Sequence, residues 1–582
     1  EMSASLVGSE MCIRDRCVAL ALVLNSNYNR PTFNMKKINQ YKLLAGIYAL
    51  ALLASCDYEE INTNWAEMNE KEEAMDGVAV GGLVTTMEQT VFPVGTQADD
   101  TDIINMYQTD YHLSADCWSG FFSQNNSWNG GNNNTSYYLI DGWIKGTYAR
   151  SYTNALDPWK KLKAASEKND TPEVFALAQV LKISAWHKAL ESFGPMPYSH
   201  AADATMNIPF DLEKDIYAAM FKDLADAVEV LTKKADAGVT IMGDYDAVYA
   251  GDSRKWVKYA NSLMLRLAMR VRFADAELAK RYAALAVKHS IGVMTSKDEE
   301  AQMSSGAGIT FRNNIEWLAE QYNESRMGSS MFSYLMGYED PRLSAYFKPV
   351  DDKCTLGQLA FDGKKYQAIP AGHLYGQNDV YTTFSKPNIK GDTPTYWMRA
   401  SEVYFLRAEA ALVWGGEFGN ADELYKQGIG MSFQENGVTA SVDDYMNSGN
   451  VPIKHEFGGS YSCSFSAPRA VTVKFEGSRE EKLEKIIIQK WLALFPNGQE
   501  AWTEWRRTGY PDLNPVMANR GSFQGATIEK GVRRMIYPTS FHQTTEDEAN
   551  YQAILKLLNN GKGGEDKSST RLWWDCLSLI HI

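Results

Sequence analysis

Apolar side chains recur at steps of three and four residues along much of the chain, which is the spacing of one face of an α-helix. The clearest runs lie within 216–231 and 256–271. Similar but shorter patterns predict further helices, which cover 76–92, 275–289, 399–414, 420–434, 480–496 and 546–559. Helices are therefore the dominant predicted element.

Local signals predict where some of these helices begin and end. Thr171, Pro172 and Glu173 supply a capping hydroxyl, a proline at the first helical position and an acid in the first turn. Gly194 is expected to stop the same helix, since a proline follows it. Ser253 is the predicted cap of the helix that contains the 256–271 run.

Several predicted helices follow one another as antiparallel-looking pairs, each of roughly 35–60 residues with its loop. Such pairs stack on their neighbours in helical-repeat folds, although no strict repeat aligns within this chain. Long loop-rich stretches interrupt the helices, and loops of this kind commonly carry binding. These stretches are 114–143, 292–395, 435–475 and 510–545. The pattern predicts a mainly α fold, a helical scaffold with long inserted loops.

A secretory signal begins at Met35, where two lysines precede an apolar stretch over 43–54. That stretch is shorter than the ~20 residues that span a bilayer. Leu53-Ala54-Ser55-Cys56 resembles a bacterial lipobox, in which the cysteine is acylated and becomes the new N-terminus. We expect 35–55 to be a lipoprotein signal peptide and Cys56 to carry lipid. The alternative is a plain signal peptide with a chance cysteine.

Both ends of the chain differ from the rest. Residues 10–16 and 576–582 resemble translated sequencing-adapter sequence, so we expect 1–34 and 576–582 to be foreign to the fold. Between the ends, 56–76 reads as a lipidated cysteine followed by an acidic tether, and 77–575 as a single helical domain. This domain is long enough to bury a large core.

Composition excludes some function classes. The formal charge of −14 argues against a nucleic-acid partner, because phosphate binding needs a basic surface. Outside the suspect ends and Cys56, the cysteines are Cys117, Cys354 and Cys463. They are widely separated and have no zinc or redox spacing, so at most one disulfide could form.

The loop-rich stretch 114–143 is the best candidate for a binding site. It is crowded with aromatic rings and amides, and sugars present flat C–H faces for rings and hydroxyl rims for amides. The alternative is that several of these rings are core. The candidate ligand-binding residues are Trp118, Phe121, Asn126, Trp128, Tyr137, Tyr138 and Trp143. A second, weaker cluster in the next loop-rich stretch consists of Trp317, Tyr322 and Arg326.

Short segments spread over the whole mature chain resemble the SusD/RagB family of outer-membrane lipoproteins. Each segment is weak alone, and their order is specific. They are 215–217, 223–224, 256–263, 265–270, 340–343, 400–406, 408–410, 489–491, 505–509 and 571–575. The charged members Arg266, Arg270, Glu402, Glu409 and Arg506 are interpreted as buried scaffold ion pairs, since buried charges persist where they are paired.

This resemblance implies a tetratricopeptide-like scaffold and a surface-exposed lipoprotein of a Gram-negative outer membrane. It further implies capture of an oligosaccharide or polysaccharide and its delivery to a SusC-like TonB-dependent barrel. Two alternatives within the same system are a peptide or glycopeptide binder, and an interaction-only transporter subunit without its own ligand. A surface glycan hydrolase is a further alternative from a different class.

No motif argues for catalysis or a cofactor. The chain lacks a Gly-x-Ser-x-Gly elbow, a phosphate-cradling loop and a His-Glu-x-x-His motif. His187 and Glu191 have a spacing that could help to hold a metal, but a pair on a helix surface is the favoured interpretation. The acidic turn 99–102 could coordinate calcium through its oxygens, with a solvated turn as the alternative. We expect a non-enzymatic protein without a cofactor.

Overall fold

The computed structural model describes residues 78–94, 101–203, 208–356 and 359–576, all within one compact unit, Gly77–Ile582. The predicted signal peptide, Cys56 and the tether lie outside these residues, as do 577–582 and the acids Asp99 and Asp100. Among the described helices, none is both long enough and apolar enough to cross a membrane.

Helices make up most of the described structure, which confirms the mainly α, tetratricopeptide-like prediction. Their bounds are α1 Val78–Val91, α2 Thr101–Tyr107, α3 Asp141–Tyr148, α4 Asn154–Asn169, α5 Pro172–Phe193, α6 Glu213–Asp236, α7 Ser253–Val271, α8 Ala276–Val287, α9 Asn314–Glu320, α10 Ser329–Gly337, α11 Leu343–Tyr346, α12 Asp379–Thr382, α13 Ala400–Trp414, α14 Ala421–Glu435, α15 Val442–Asn447, α16 Arg479–Ala493, α17 Gly498–Thr508 and α18 Thr545–Gly561. Two π-helical turns cover Gln108–Asp116 and Ala149–Thr153.

The scaffold is a row of helices in which α4 to α8 each pack on the next one along the chain. Helix α13 then packs on α7, α14 and α16. The apolar face of α6, which the periodicity predicted, is buried from Ile216 to Leu231. Helix α7 is buried almost all round, which places it at the centre of the scaffold.

Two predicted helix caps need correction. Helix α5 begins at Pro172 as expected, but the Thr171 side chain makes no capping hydrogen bond. The cap of α7 is Asp252, whose carboxylate accepts from the backbone N–H groups of Arg254 and Lys255. Ser253 is instead the first helical residue, and its hydroxyl donates to the Val239 carbonyl at 2.8 Å. Aspartate and serine are nearly equivalent caps, so adjacent positions are hard to separate by sequence.

Short strands occur in the loop-rich stretches of the described chain and just past one of them, at Thr395–Met398. They form four two-stranded antiparallel sheets, with pairs β1–β3, β2–β6, β4–β5 and β7–β8. Their bounds are β1 Phe122–Gln124, β2 Ala301–Met303, β3 Ser325–Met327, β4 Leu359–Phe361, β5 Lys364–Tyr366, β6 Thr395–Met398, β7 Glu456–Phe457 and β8 Cys463–Ser464. Because β1 and β3 lie far apart in sequence, their pairing joins two separate loops.

A buried network of charges joins five helices of the scaffold. Arg266 of α7 forms a two-pronged ion pair with Glu402 of α13, at 2.8 and 2.6 Å. Arg270, one turn on, bonds to Glu191 of α5 at 2.9 Å and to Glu500 of α17 at 2.6 Å. These groups are almost entirely shielded from solvent, which confirms that they serve the scaffold.

Glu504 of α17 is the most connected acid of this network. It pairs with Arg507 at 2.7 Å, with Lys490 of α16 at 3.0 Å and with Arg270. Arg507 in turn holds Glu409 of α13 at 2.7 Å. Because every member has a counter-charge, the cost of burying these charges is offset by their attraction.

The Arg506 guanidinium departs from the predicted ion pairing. It donates to the backbone carbonyls of Glu191 and Arg533, at 2.6 and 2.9 Å, and lies over the Trp502 ring at 3.3 Å. Burial, together with the nearby Arg533 charge, lowers its pKa well below the ordinary value. Its role is still structural, through carbonyls and an aromatic face.

The substitution Glu504→Gln should lower the free energy of unfolding by about 3–5 kcal/mol, because it leaves three buried cations short of a counter-charge. Urea denaturation followed by circular dichroism measures the change. Glu229→Gln is the matched control, since Glu229 forms an exposed pair with Lys233 within one helix. An equal loss in the two variants would contradict the importance of the buried network.

The stability gap between the wild type and Glu504→Gln should close in acid. Burial acts to raise the pKa of Glu504, but the cations Arg507, Lys490 and Arg270 hold it well below its ordinary value. A carboxyl whose pKa is depressed in the folded state stabilises the fold above its unfolded pKa, about 4.3, and loses that contribution as pH falls further. Denaturation midpoints between pH 7 and pH 3 test this, and a constant gap would contradict it.

Candidate functional site

Strand pairing brings together the two loop regions that sequence marked as candidate sites. In the β1–β3 ladder, Phe122 faces Met327 and Ser123 faces Arg326. The pairing continues past the strands, because the Asn125 backbone N–H donates to the Glu324 carbonyl at 2.9 Å. The stretches 118–143 and 317–326 therefore form one structural unit.

A third loop, over 370–382, is bonded to the same unit. The Asn125 side-chain amide donates to the Thr382 hydroxyl at 2.7 Å. The Arg326 guanidinium donates to the Thr382 carbonyl at 2.8 Å. A ring nitrogen of His373 lies 2.5 Å from the Gln124 carbonyl, and burial lowers the pKa of His373 to about 4, so the ring is neutral at physiological pH and donates.

An exposed turn of the first loop packs against the third. Gly131 has a φ of +86°, and a Cβ there would lie 2.6 Å from Leu374 Cδ2, so glycine is required for this close approach. The residue after Leu374 is Tyr375, whose ring is half-exposed. Trp128, at the start of the same turn, is also half-exposed.

Tyr375 and Tyr461 are candidate site residues that sequence reasoning missed. Their rings meet edge to face with centroids 5.0 Å apart, and both are half-exposed. The buried Tyr381 supports them, because its hydroxyl donates to the Tyr461 carbonyl at 2.9 Å. Both tyrosines lie in stretches predicted as loops, and an aromatic ring in a polar loop was the available signal. The open aromatic face is defined by Asn126, Trp128, Tyr375, Asn378 and Tyr461.

A buried acid lies behind this face. Burial raises the pKa of Glu324 to about 7, against the opposing effect of a hydrogen bond from the Gln108 amide. That amide donates to a Glu324 carboxylate oxygen at 2.6 Å. Since Gln108 belongs to the first π-helical turn, this bond fixes the 317–326 loop to the helical scaffold.

Two of the predicted ligand contacts are corrected by burial, and the ring of a third is engaged by a cation. Phe121 is fully buried between the rings of Trp491 and Phe495, so it belongs to the core and has no surface for a ligand. Arg326 is also fully buried and braces the loops. Trp317 packs against the Arg312 guanidinium at 4.5 Å.

The amides of the first loop mostly bind its own backbone. The Asn133 side chain donates to the carbonyls of Ser127 and Trp128, at 2.9 and 2.8 Å, and caps the following turn. The Asn134 side chain accepts from the Ile140 N–H at 3.0 Å. These amides give the loop its shape.

The remaining candidates lie elsewhere. Trp118 and Tyr137 are largely buried and line a cleft of about 410 Å³, together with Trp505 of α17. Tyr138 is half-exposed and contacts the exposed Phe523 ring at 5.3 Å. Trp143, on α3, and Tyr322 are partly exposed and take part in neither of these contacts. The Tyr322 hydroxyl donates to the Asn105 side chain at 3.2 Å.

The His187 and Glu191 pair is buried, which corrects the expectation of a helix-surface pair. Together with Glu500 they form a group whose ligand atoms lie within 4.8 Å of one another. Arg270 already bonds to both acids, and burial with the Arg266 charge lowers the pKa of His187 well below its ordinary value. The group serves the charge network, since neighbouring cations repel a metal ion. The predicted calcium turn 99–102 lies outside the described side chains.

Comparison with known proteins identifies relatives of this architecture. A chitin-binding SusD homolog from Flavobacterium johnsoniae is 32% identical, with a TM-score of 0.76 over 85% of this chain and 98% of that one. SusD homologs from Bacteroides uniformis and Bacteroides vulgatus are each 30% identical, with TM-scores of 0.75 and 0.76. They cover 85% and 86% of this chain and 99% of their own lengths. No curated protein matches the sequence.

The family model described as "Susd and RagB outer membrane lipoprotein" matches residues 60–575. This span includes every described helix and all the segments that carried the resemblance. The chain belongs to the SusD/RagB family of outer membrane lipoproteins.

Proposed function

We propose that the protein binds carbohydrate on its open aromatic face. The observation that carries the proposal is that three separate loops present partly exposed rings, Trp128, Tyr375 and Tyr461. Asn126 lies in the loop of Trp128 and Asn378 in the loop of Tyr375, and the Asn378 backbone N–H donates to the Asn125 side chain at 3.5 Å. Aromatic rings stack on the apolar C–H faces of sugars, and amides both donate to and accept from sugar hydroxyls. An open surface suits a segment in the middle of a polymer.

The fixed geometry of the loops supports binding without large rearrangement. Asn125, next to Asn126, is tied to Thr382 at 2.7 Å and to the Glu324 carbonyl at 2.9 Å. Because these bonds join the loops to one another within the protein, binding does not have to order them. The likeness to a chitin-binding homolog favours a glycan and makes chitin oligosaccharides the first probe.

The wider function follows from the family. We propose that lipid on Cys56 holds the protein at the outer membrane and that it passes its glycan to a SusC-like TonB-dependent barrel. No chemical step and no cofactor is required for capture and transfer. The peptide-binding alternative predicts affinity for peptides, and the hydrolase alternative predicts release of reducing ends by the purified protein.

Trp128→Ala and Tyr375→Ala should each weaken glycan binding about tenfold, which corresponds to ~1.4 kcal/mol for one stacking ring. Isothermal titration of the soluble form, which begins at Asp57 after the lipidated cysteine, against chitin oligosaccharides and a panel of polysaccharides and peptides measures this. Trp143→Ala is the matched control, since it removes a half-exposed tryptophan away from the face. Unchanged affinity in both test variants, with normal melting temperatures, would reject the open aromatic face.

Extraction of membranes in mild detergent should recover the protein together with a large outer-membrane barrel. A Cys56→Ser variant should lose membrane attachment, because the hydroxyl cannot take the thiol's place in lipidation. Affinity purification followed by mass spectrometry measures both outcomes. Recovery of the wild-type protein as a solitary monomer would contradict the transporter partnership.

A further inference from the structure

The cleft lined by Trp118, Tyr137 and Trp505 is separate from the open aromatic face. Its walls also include the segment 511–516 and the turn 527–531, and its volume is about 410 Å³. Small-molecule sites have volumes of about 300–1,000 Å³, so the cleft suits one or two sugar units and not a long chain.

One wall of the cleft is an aromatic surface held in place by the backbone. Gly531 has a φ of +60°, and a Cβ there would lie 3.0 Å from the Trp505 ring and 3.6 Å from the Tyr137 hydroxyl. Glycine therefore keeps the approach to both rings open. Trp118 lies deeper, where its indole N–H already donates to the Asn134 carbonyl at 2.7 Å.

Several hydrogen-bond donors that line the cleft make no hydrogen bond with the described residues. The Trp505 indole N–H and the Tyr137 hydroxyl make no hydrogen bond with any described residue. The Lys530 ammonium, on the exposed turn, makes no hydrogen bond within the described chain, although its charge acts on the neighbouring Glu529 carboxylate. Arg571 uses one nitrogen on Asp575, at 3.0 Å, and leaves its other N–H groups without a described partner.

The carboxylates of the same rim are already engaged. The Glu529 carboxylate is bonded to its own backbone N–H and to the Thr527 hydroxyl, and these bonds lower its pKa. The Asp512 carboxylate accepts from the Arg469 backbone N–H at 3.0 Å. Hydrogen-bond donors of Lys530 and Arg571 are thus left to meet a ligand, whereas both of these carboxylates already accept hydrogen bonds.

We propose that this cleft is a second ligand site, which binds a sugar unit carrying an anionic group, either a carboxylate or a sulfate. The sugar's C–H face packs on Trp505, and its anionic oxygens accept from Lys530 and Arg571. Charge-assisted hydrogen bonds of this kind are stronger than neutral ones, so they select the acidic sugar over its neutral parent.

Isothermal titration of the soluble form with single sugars tests the proposal by measuring Kd. Saturation-transfer NMR checks that the sugar contacts the protein. The probes are glucuronate with glucose as its parent, galactose 6-sulfate with galactose as its parent, and acetate. At least one acidic sugar should bind with a Kd of a few millimolar, and its parent should bind about tenfold more weakly. The two acidic probes distinguish a carboxylate from a sulfate as the preferred group.

Variants assign the binding to the cleft. Lys530→Gln and Ile528→Glu should each lower the affinity for the acidic sugar about fivefold or more. Lys530→Gln removes a cation, and Ile528→Glu adds an anion, at exposed positions. Trp505→Ala should abolish binding. Lys562→Gln, an exposed lysine outside the cleft, is the matched control and should have no effect. Trp128→Ala should also leave acidic-sugar binding unchanged, because Trp128 lies on the open aromatic face.

Four results would overturn the proposal. They are equal affinity for an acidic sugar and its parent, equal affinity for acetate, no binding at about 50 mM of either acidic probe, and insensitivity to both Lys530→Gln and Ile528→Glu. Loss of acidic-sugar binding in Trp128→Ala would show that the acidic sugar binds at the open aromatic face and not in the cleft. If no neutral glycan binds the open aromatic face, the measurement of acidic-sugar binding at the cleft is unaffected. The two proposals are therefore tested separately.

Discussion

The pairing of buried charges at the centre of the scaffold is the constraint on which the rest of the structure depends. Arg270 and Glu504 are shielded from water, and each contacts partners on other helices. A buried charge without a partner is costly, so the helices that carry these groups must meet in one arrangement. Apolar packing alone tolerates sliding between helices, whereas a network of directional ion pairs fixes their register.

This constraint extends to the loops through α17. Glu504 belongs to the network, while Trp505 next to it lines the cleft. At the start of the same helix, the Gly498 N–H donates to the Asp116 carboxylate at 3.1 Å. Asp116 ends the first π-helical turn, two residues before Trp118. The position of the first loop therefore follows from the position of α17, and through it from the charge network.

Sequence predicted the helices well because their signal is local. The apolar spacing of α6 and the proline that opens α5 require no knowledge of the rest of the chain. The sites depend on contacts between distant residues. Nothing in the three-residue strand β1 specifies β3 as its partner. Nothing local indicates either that His373 and Leu374 of the third loop meet Gln124 and Gly131 of the first. Phe121 was misassigned for a related reason, since a polar loop can still send one ring into the core.

The two proposed sites share one loop, and its internal bonds explain how it can serve both. Trp118 and Tyr137 face the cleft, while Trp128 belongs to the open aromatic face. Between them, Asn133 bonds to two backbone carbonyls of the loop and caps the turn that precedes Tyr137. An amide that binds the loop cannot also contact a ligand, but it removes the entropy that a free loop would lose on binding. Asn133 thus holds the rings of the loop in position, and the contacts with sugar hydroxyls in the proposed function are left to other amides such as Asn126.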